Sequence, residues 1–326
     1  MIARAAVAAA IAVAVVSWGF AGDLGHGALA LRPSVGPSSA PTPKPRDGLD
    51  AVFDAFAQRR LVAIGEIHGS ESQHRFFRKL INDPRFSRTV DDIVVEFGNA
   101  RYQRVADRYL AGENVPFSQL RQVWGQTTQR PSGVWESPLY ASFFRMVRAL
   151  NERLPAARRI RVLLGDPPID WATISACHEP AKDWRRPECI DYWYQRRDSH
   201  YANVVIGQVL AKGERALLIA GGAHFFRPPP RDTGSLIGIV EARYPRSVFI
   251  VLPYVRFVIP QPRVDRLVSR WRPDTIASLK HTWVGALPAR VLFGPDEPST
   301  PEQPRFPNPF AQGTVNDRLD AFLKIG

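Results

Sequence analysis

Short apolar runs without polar alternation recur along this chain between longer stretches of helical spacing, and no other feature restricts its fold as much. The runs lie at 61–65, 92–97, 160–165, 216–220, 248–252 and 290–293 and are rich in Val, Ile and Leu. Uninterrupted apolar strands of this kind are expected where both faces of a sheet are covered. Apolar residues recur at helical spacing over 70–81, 101–110, 139–153, 190–210 and 235–243. Strand, helix, strand in repetition predicts an α/β fold: a mainly parallel central sheet with helices on both faces. The stretch 99–137 has no strand pattern, and it predicts a smaller helical insertion over the strand ends at one edge of the sheet.

The amino-terminal region stands apart. Met1 to Arg4 give a short positive start, Ala5 to Val16 is an unbroken apolar run, and Ala28-Leu29-Ala30 is a small-residue cleavage site. That pattern is an export signal over 1–30, with the mature chain beginning near Leu31 in the periplasm or outside the cell. An uncleaved anchor reaching Ala21 is the alternative; once the signal is cut, no stable membrane span is expected. Residues 31–46, rich in Pro and Ser, read as a linker, which leaves 47–326 as a single α/β domain. In an oxidising compartment the only two cysteines, Cys177 and Cys189, are expected to form a disulfide, since two thiols at this spacing match no zinc pattern. The formal charge of +12 is spread as scattered arginines with no nucleic-acid-binding signature, so no specific nucleic-acid partner is expected.

Chemistry collects where the strands end. The first candidate strand runs into Glu66 and His68, which alternation places on one side of the chain. The second ends at Glu96, the third at Asp166, and the fourth runs through Gly221 and Gly222 to His224. Ligands of open α/β sheets bind at the carboxyl ends of the strands, so four successive strands finishing in ionisable groups point to one site. Each group also has an ordinary structural reading, as helix cap or turn former, and Asp166 before two prolines fits a turn as well as a site. Glu66 resists that reading, because a lone carboxylate inside an apolar run is costly to bury.

"GEIHG" at 65–69, "VVEFG" at 94–98, "RRDSHYANV" at 196–204 and "GGAH" at 221–224 occur in the order seen in the superfamily of erythromycin esterases, ChaN haem-binding proteins and Tiki/TraB proteases. The chain resembles that superfamily from about residue 61 to its end. The resemblance implies an α/β sandwich with a helical part over the site. It also implies roles for Glu66 and His68 as the Gly-Glu-x-His element, Glu96 as second acid, Arg197 as helical cation and His224 as late histidine.

Two functions from different classes follow. In a hydrolase of an ester or amide, whether in a small molecule or a peptide, His68 or His224 takes a proton from water, Glu66 or Glu96 orients the imidazole, and Arg197 steadies the developing charge. A variant places a divalent metal between Glu66, His68, Glu96 and His224. The other function is binding of haem or another iron compound, with His74, His200, Tyr102 or Tyr201 as axial ligand. Neither a Gly-x-Ser-x-Gly element nor any other serine nucleophile is apparent.

Overall fold

A computed structural model of the chain describes residues 40–175, 186–229, 234–294 and 309–326. Eight strands form one sheet in the order β1-β7-β8-β6-β2-β5-β3-β4. They are β1 (Arg46–Asp47), β2 (Leu61–Glu66), β3 (Asp92–Asn99), β4 (Arg161–Asp166), β5 (Ala216–Gly221), β6 (Val248–Pro253), β7 (Thr275–Ser278) and β8 (Ala321–Lys324). The pairs from β8 through β6, β2, β5 and β3 to β4 are parallel, and β7 runs antiparallel to both β8 and β1.

Five of the six expected strands are present. The sixth, 290–293, is a single helical turn, Arg290–Phe293, ended by Gly294 at positive φ. Four apolar residues are too few to distinguish a strand from a buried helical turn. The short strands β7 and β8 occupy that side of the sheet instead.

Alternation along the central strands divides the core in two. Val62 and Ile64 of β2 and Leu217 and Ile219 of β5 pack with one cluster, while Leu61, Ala63, Ala216 and Leu218 face the other. The helix Glu71–Asn82 shows how sequence builds the first layer. Ser70 caps it by accepting from Gln73 N–H, and Gln73, Phe76, Phe77, Leu80 and Ile81 form its buried stripe. Each of the large apolar side chains contributes roughly 1.5–3 kcal/mol by leaving water. Helices Gly48–Gln58 and Pro138–Asn151 share this face; the segment from Arg197 to Lys212 and helix Leu236–Arg243 cover the other.

Two local features depart from expectation, and a third protects the sheet. Residues 40–46 are not a free tether: Trp283 donates from its backbone N–H to Pro41 O (3.1 Å) and from Nε1 to Thr42 Oγ1 (3.3 Å), and Arg46 pairs with Ile276. The expected helix 190–210 is broken into Ile190–Tyr194, Arg197–Val204, a π-turn Val205–Val209 and a last 3₁₀ turn Leu210–Lys212. The break after Tyr194 lets Arg197 and Asp198 start a new helix beside the strand ends. The free edge of β4 is closed by side-chain amides: Gln103 donates to Val162 O (2.9 Å) and accepts from Leu164 N–H (2.9 Å), and Asn151 pairs in the same way with both backbone groups of Ile160. An open edge strand is a template for aggregation, so these amides protect the sheet.

The export signal and Cys177 lie outside the described residues. Cys189 is fully buried, and its loop is closed at Ser175, whose N–H donates to Glu188 O (2.7 Å). No helix among the described residues is long and apolar enough to cross a membrane.

Candidate active site

The neighbouring strands β2, β5, β3 and β4 bring their carboxyl ends to one rim, and every residue expected there is on it. Glu66, at the end of β2, has a fully buried side chain and both its oxygens are taken. Oε2 lies 3.1 Å from His68 Nδ1 and Oε1 lies 2.8 Å from His74 Nε2. Burial pushes the Glu66 carboxyl up, but the hydrogen bonds and charges of the two histidines more than offset this and hold it below the ordinary glutamate value. His68 is half-buried, and the partial loss of water pulls its imidazole down, yet Glu66 and the nearby charge of Glu96 carry it above the ordinary histidine value.

His74 was expected as an ordinary residue or a haem ligand; it is a second clamp on Glu66. Gln73 makes this possible. Its side chain donates to Gly65 O and accepts from Ile67 N–H (2.6 Å), which folds the helix start back on the strand end. The sequence signal was the pair Glu66 and His74, eight residues apart across a turn capped by Ser70.

Glu96 is the centre of the second group. Gly221 N–H donates to Oε2 (2.7 Å), while Arg197 Nη2 and His224 Nε2 (3.2 Å) both meet Oε1. Glycine at 221 leaves the imidazole room: a Cβ there would stand 3.1 Å from His68 Nε2, which would have to give by a few tenths of an ångström, and 3.4 Å from Glu96 Oε2. The same measurement places His68 Nε2 on the Glu96 side of the rim, so the two groups form one site. Trp135, from the insertion, packs edge-on against the His68 ring with centroids 4.5 Å apart.

His224 is no candidate base. Its Nδ1 lies 2.5 Å from Asp198 Oδ1 and its Nε2 faces Glu96, so both nitrogens carry protons. Burial opposes that charge, but the two carboxylates raise the imidazole to about 10. Glu96 in turn is pushed up by burial and held well below its ordinary value by the charges of His224 and Arg197. Arg197 stays charged despite burial, with Glu96 and Asp166 beside it.

Asp166, read equally well as a turn former, belongs to this network. It is buried and accepts from both Thr128 N–H (2.7 Å) and Thr128 Oγ1 (2.5 Å), while Arg197 Nε stands 3.7 Å away. Burial raises its carboxyl to about 7. Thr128 and Gln129, in the predicted helical insertion, are among the site residues that the sequence did not reveal, with Gln73 and Asp198. Their polar run "QTTQ" at 126–129 is the one local hint.

The expected metal ligands do not make a ligand set. Glu66 is engaged by two imidazoles, Glu96 by Gly221, Arg197 and His224, and the imidazolium of His224 has no lone pair to offer. Among the described residues no three or more His, Cys, Asp or Glu side chains converge on a metal position. Haem fits no better. His74 is spent on Glu66, Tyr201 donates to Val94 O (2.6 Å), Tyr102 packs on the core, and His200 Nε2 is enclosed without a polar partner.

Comparison with known proteins is consistent with this architecture. No family model and no curated protein matches the chain. Among solved structures, a histidine mutant of the erythromycin esterase EreC in its open conformation is 12% identical, with a TM-score of 0.51, covering 87% of this chain and 98% of that one. ChaN of Campylobacter jejuni, described with cofacial haem binding, is 12% identical with a TM-score of 0.36, covering 63% of this chain and 85% of that one. A bacterial protein toxin is 17% identical with a TM-score of 0.40; the match covers 64% of this chain and only 37% of the toxin. At these identities the likeness is one of fold, and the chain has the α/β fold of the erythromycin esterase.

Proposed function

We propose that the chain is an exported hydrolase that adds water to the carbonyl of an ester or amide, with Glu66 and His68 as the water-activating pair. The observation that carries this reading is the His68 ring: Nδ1 is held by a buried carboxylate at 3.1 Å, while Nε2 is turned to the rim beside Glu96. A carboxylate on Nδ1 selects the tautomer in which Nε2 has the free lone pair. His68 Nε2 takes a proton from water as the oxygen bonds to the carbonyl carbon. The carbonyl oxygen becomes an oxyanion, and Arg197 is the cation positioned to stabilise it. As the intermediate collapses, His68 returns the proton to the departing alcohol or amine. His224 remains an imidazolium throughout and keeps Glu96 ionised and in place. A second histidine on Glu66 and Trp135 against the imidazole hold the pair in one orientation. The fold shared with an esterase is compatible with this chemistry.

The test is a panel of esters and amides run on wild type and His68→Ala, with melting temperatures for both. Turnover should fall by about 10² to 10⁴ in the variant, as for loss of a general base. The wild-type rate should rise with pH through a midpoint above the ordinary histidine value. Wild-type turnover in His68→Ala would end the assignment, as would a Soret band at one haem per chain.

A further inference from the structure

The Arg197 guanidinium has a third partner besides its two carboxylates. A guanidinium has only donors to offer, so the amide oxygen of Gln129, and not its nitrogen, faces it, 3.1 Å from both Nη1 and Nη2. Glu96 and Asp166 are buried, with side chains 4% and 0% exposed, whereas Gln129 is half-buried. The Gln129 amide is neutral, so its bond adds no charge compensation. Arg197 itself is only 11% exposed, and nothing can accept a hydrogen bond from both Nη groups while Gln129 does.

The backbone beside Gln129 is pinned and its side chain is not. Thr127 and Thr128 are fully buried, and Thr128 is anchored on Asp166. Gln129 N–H donates to Thr127 Oγ1 (3.2 Å), and Ser132 N–H (3.0 Å) and Oγ (2.7 Å) donate to Gln129 O. The amide oxygen is held by the two bonds from Arg197, and rotation about the side chain's own torsions clears the guanidinium without moving the loop.

We propose that Gln129 is an internal stand-in for the substrate: its amide oxygen holds the place on Arg197 that the reacting carbonyl oxygen takes when Gln129 swings out. The inference rests on the hydrolase reading above and names the residue that competes with its substrate for Arg197. The group that replaces an amide oxygen is a neutral carbonyl, as in an ester or amide. Gln129 is thus a specificity-determining residue and makes no contribution to water activation.

The experiment compares wild type with Gln129→Met, which keeps the bulk and removes the carbonyl, and Gln129→Glu, which ties Arg197 with a charge. Substrates are the esters or amides turned over in the panel. Gln129→Met should lower KM by about 3- to 10-fold with kcat within about twofold, because the competing closed state is lost. Gln129→Glu should raise KM by at least about tenfold. Phenylglyoxal labelling of the full chain, read at Arg197 by peptide mapping, reports exposure of the guanidinium without any turnover. Labelling should accelerate in Gln129→Met and slow in Gln129→Glu. Unchanged or raised KM together with unchanged labelling in Gln129→Met, at wild-type melting temperature, overturns the proposal. If no ester or amide is turned over, the hydrolase reading fails by itself. The labelling then decides whether Gln129 covers Arg197: faster labelling in Gln129→Met sustains the cover and no change refutes it.

Discussion

Arg197→Met should show whether the site is a set of mutually dependent charges or a row of independent side chains. The substitution keeps much of the aliphatic bulk and removes the guanidinium that touches Glu96 and faces Asp166. The two carboxylates respond differently. Asp166, raised by burial to about 7, meets the loss by taking up a proton near neutral pH. Glu96 lies well below its ordinary value and is 4% exposed, so it stays ionised with only Gly221 N–H and His224 to support it. Breaking a buried pair by removing one partner costs about 3–5 kcal/mol. Because the imidazolium of His224 remains on the same oxygen, the lower end applies, about 3 kcal/mol. For a domain of this size that is a fall in Tm of about 6–12 °C. Adding Glu96→Gln should recover about 1.5–3 kcal/mol, since the double variant no longer buries an uncompensated charge. Urea unfolding of the wild type, both single variants and the double variant at pH 7 measures the cycle. A loss under about 1 kcal/mol in Arg197→Met, or strictly additive single effects, would refute the coupling.

Three further outcomes are expected. His74→Ala should lower stability by about 1–3 kcal/mol, seen as a lower urea midpoint, because Glu66 is left buried with one donor fewer. His224 is raised from 6.5 to about 10, so the folded state binds more protons than the unfolded one in that window; its stabilisation, at most about 5 kcal/mol, is complete below pH 6.5 and lost as pH rises to about 10. His224→Gln should accordingly flatten the fall in Tm between pH 7 and 10, and an equally steep fall in the variant would exclude His224 as its source. Intact-mass analysis of exported protein should find a chain starting near Leu31 with no alkylatable thiol before reduction; two free thiols would exclude the Cys177–Cys189 pair, and a retained Met1 would exclude cleavage.

How much of this was legible in the sequence depended on the range of the interaction involved. The parallel strands were readable because Val, Ile and Leu runs covered on both faces leave a pattern within a single segment. Their ends were readable for the same reason: Glu66, Glu96 and Asp166 interrupt apolar runs, and topology alone brings adjacent strand ends together. The strands β7 and β8 were not, since four residues ending in Ser278 or Lys324 carry too little pattern to distinguish them from loop. What escaped inside the site was set by contacts between segments far apart in the chain. Thr128 meets Asp166 across 38 residues, and Asp198 meets His224 across 26. Neither pairing has a local signature.

His74 shows where a one-dimensional reading of distance fails. Counted along the chain it stands a full helical turn beyond the strand end, which suggests a surface position. In space the turn at 67–70 reverses the chain: Gly69 takes a positive φ, Ser70 caps the new helix, and the buried amide of Gln73 bridges Gly65 O and Ile67 N–H. The first turn of the helix therefore lies over the carboxyl end of β2, and His74 descends onto Glu66 from above. A strand that ends in a carboxylate and turns tightly into a helix makes the first turn of that helix part of the carboxylate's environment. A polar residue there that is able to donate is a candidate partner, and His74, whose side chain is 9% exposed, is bonded to Glu66.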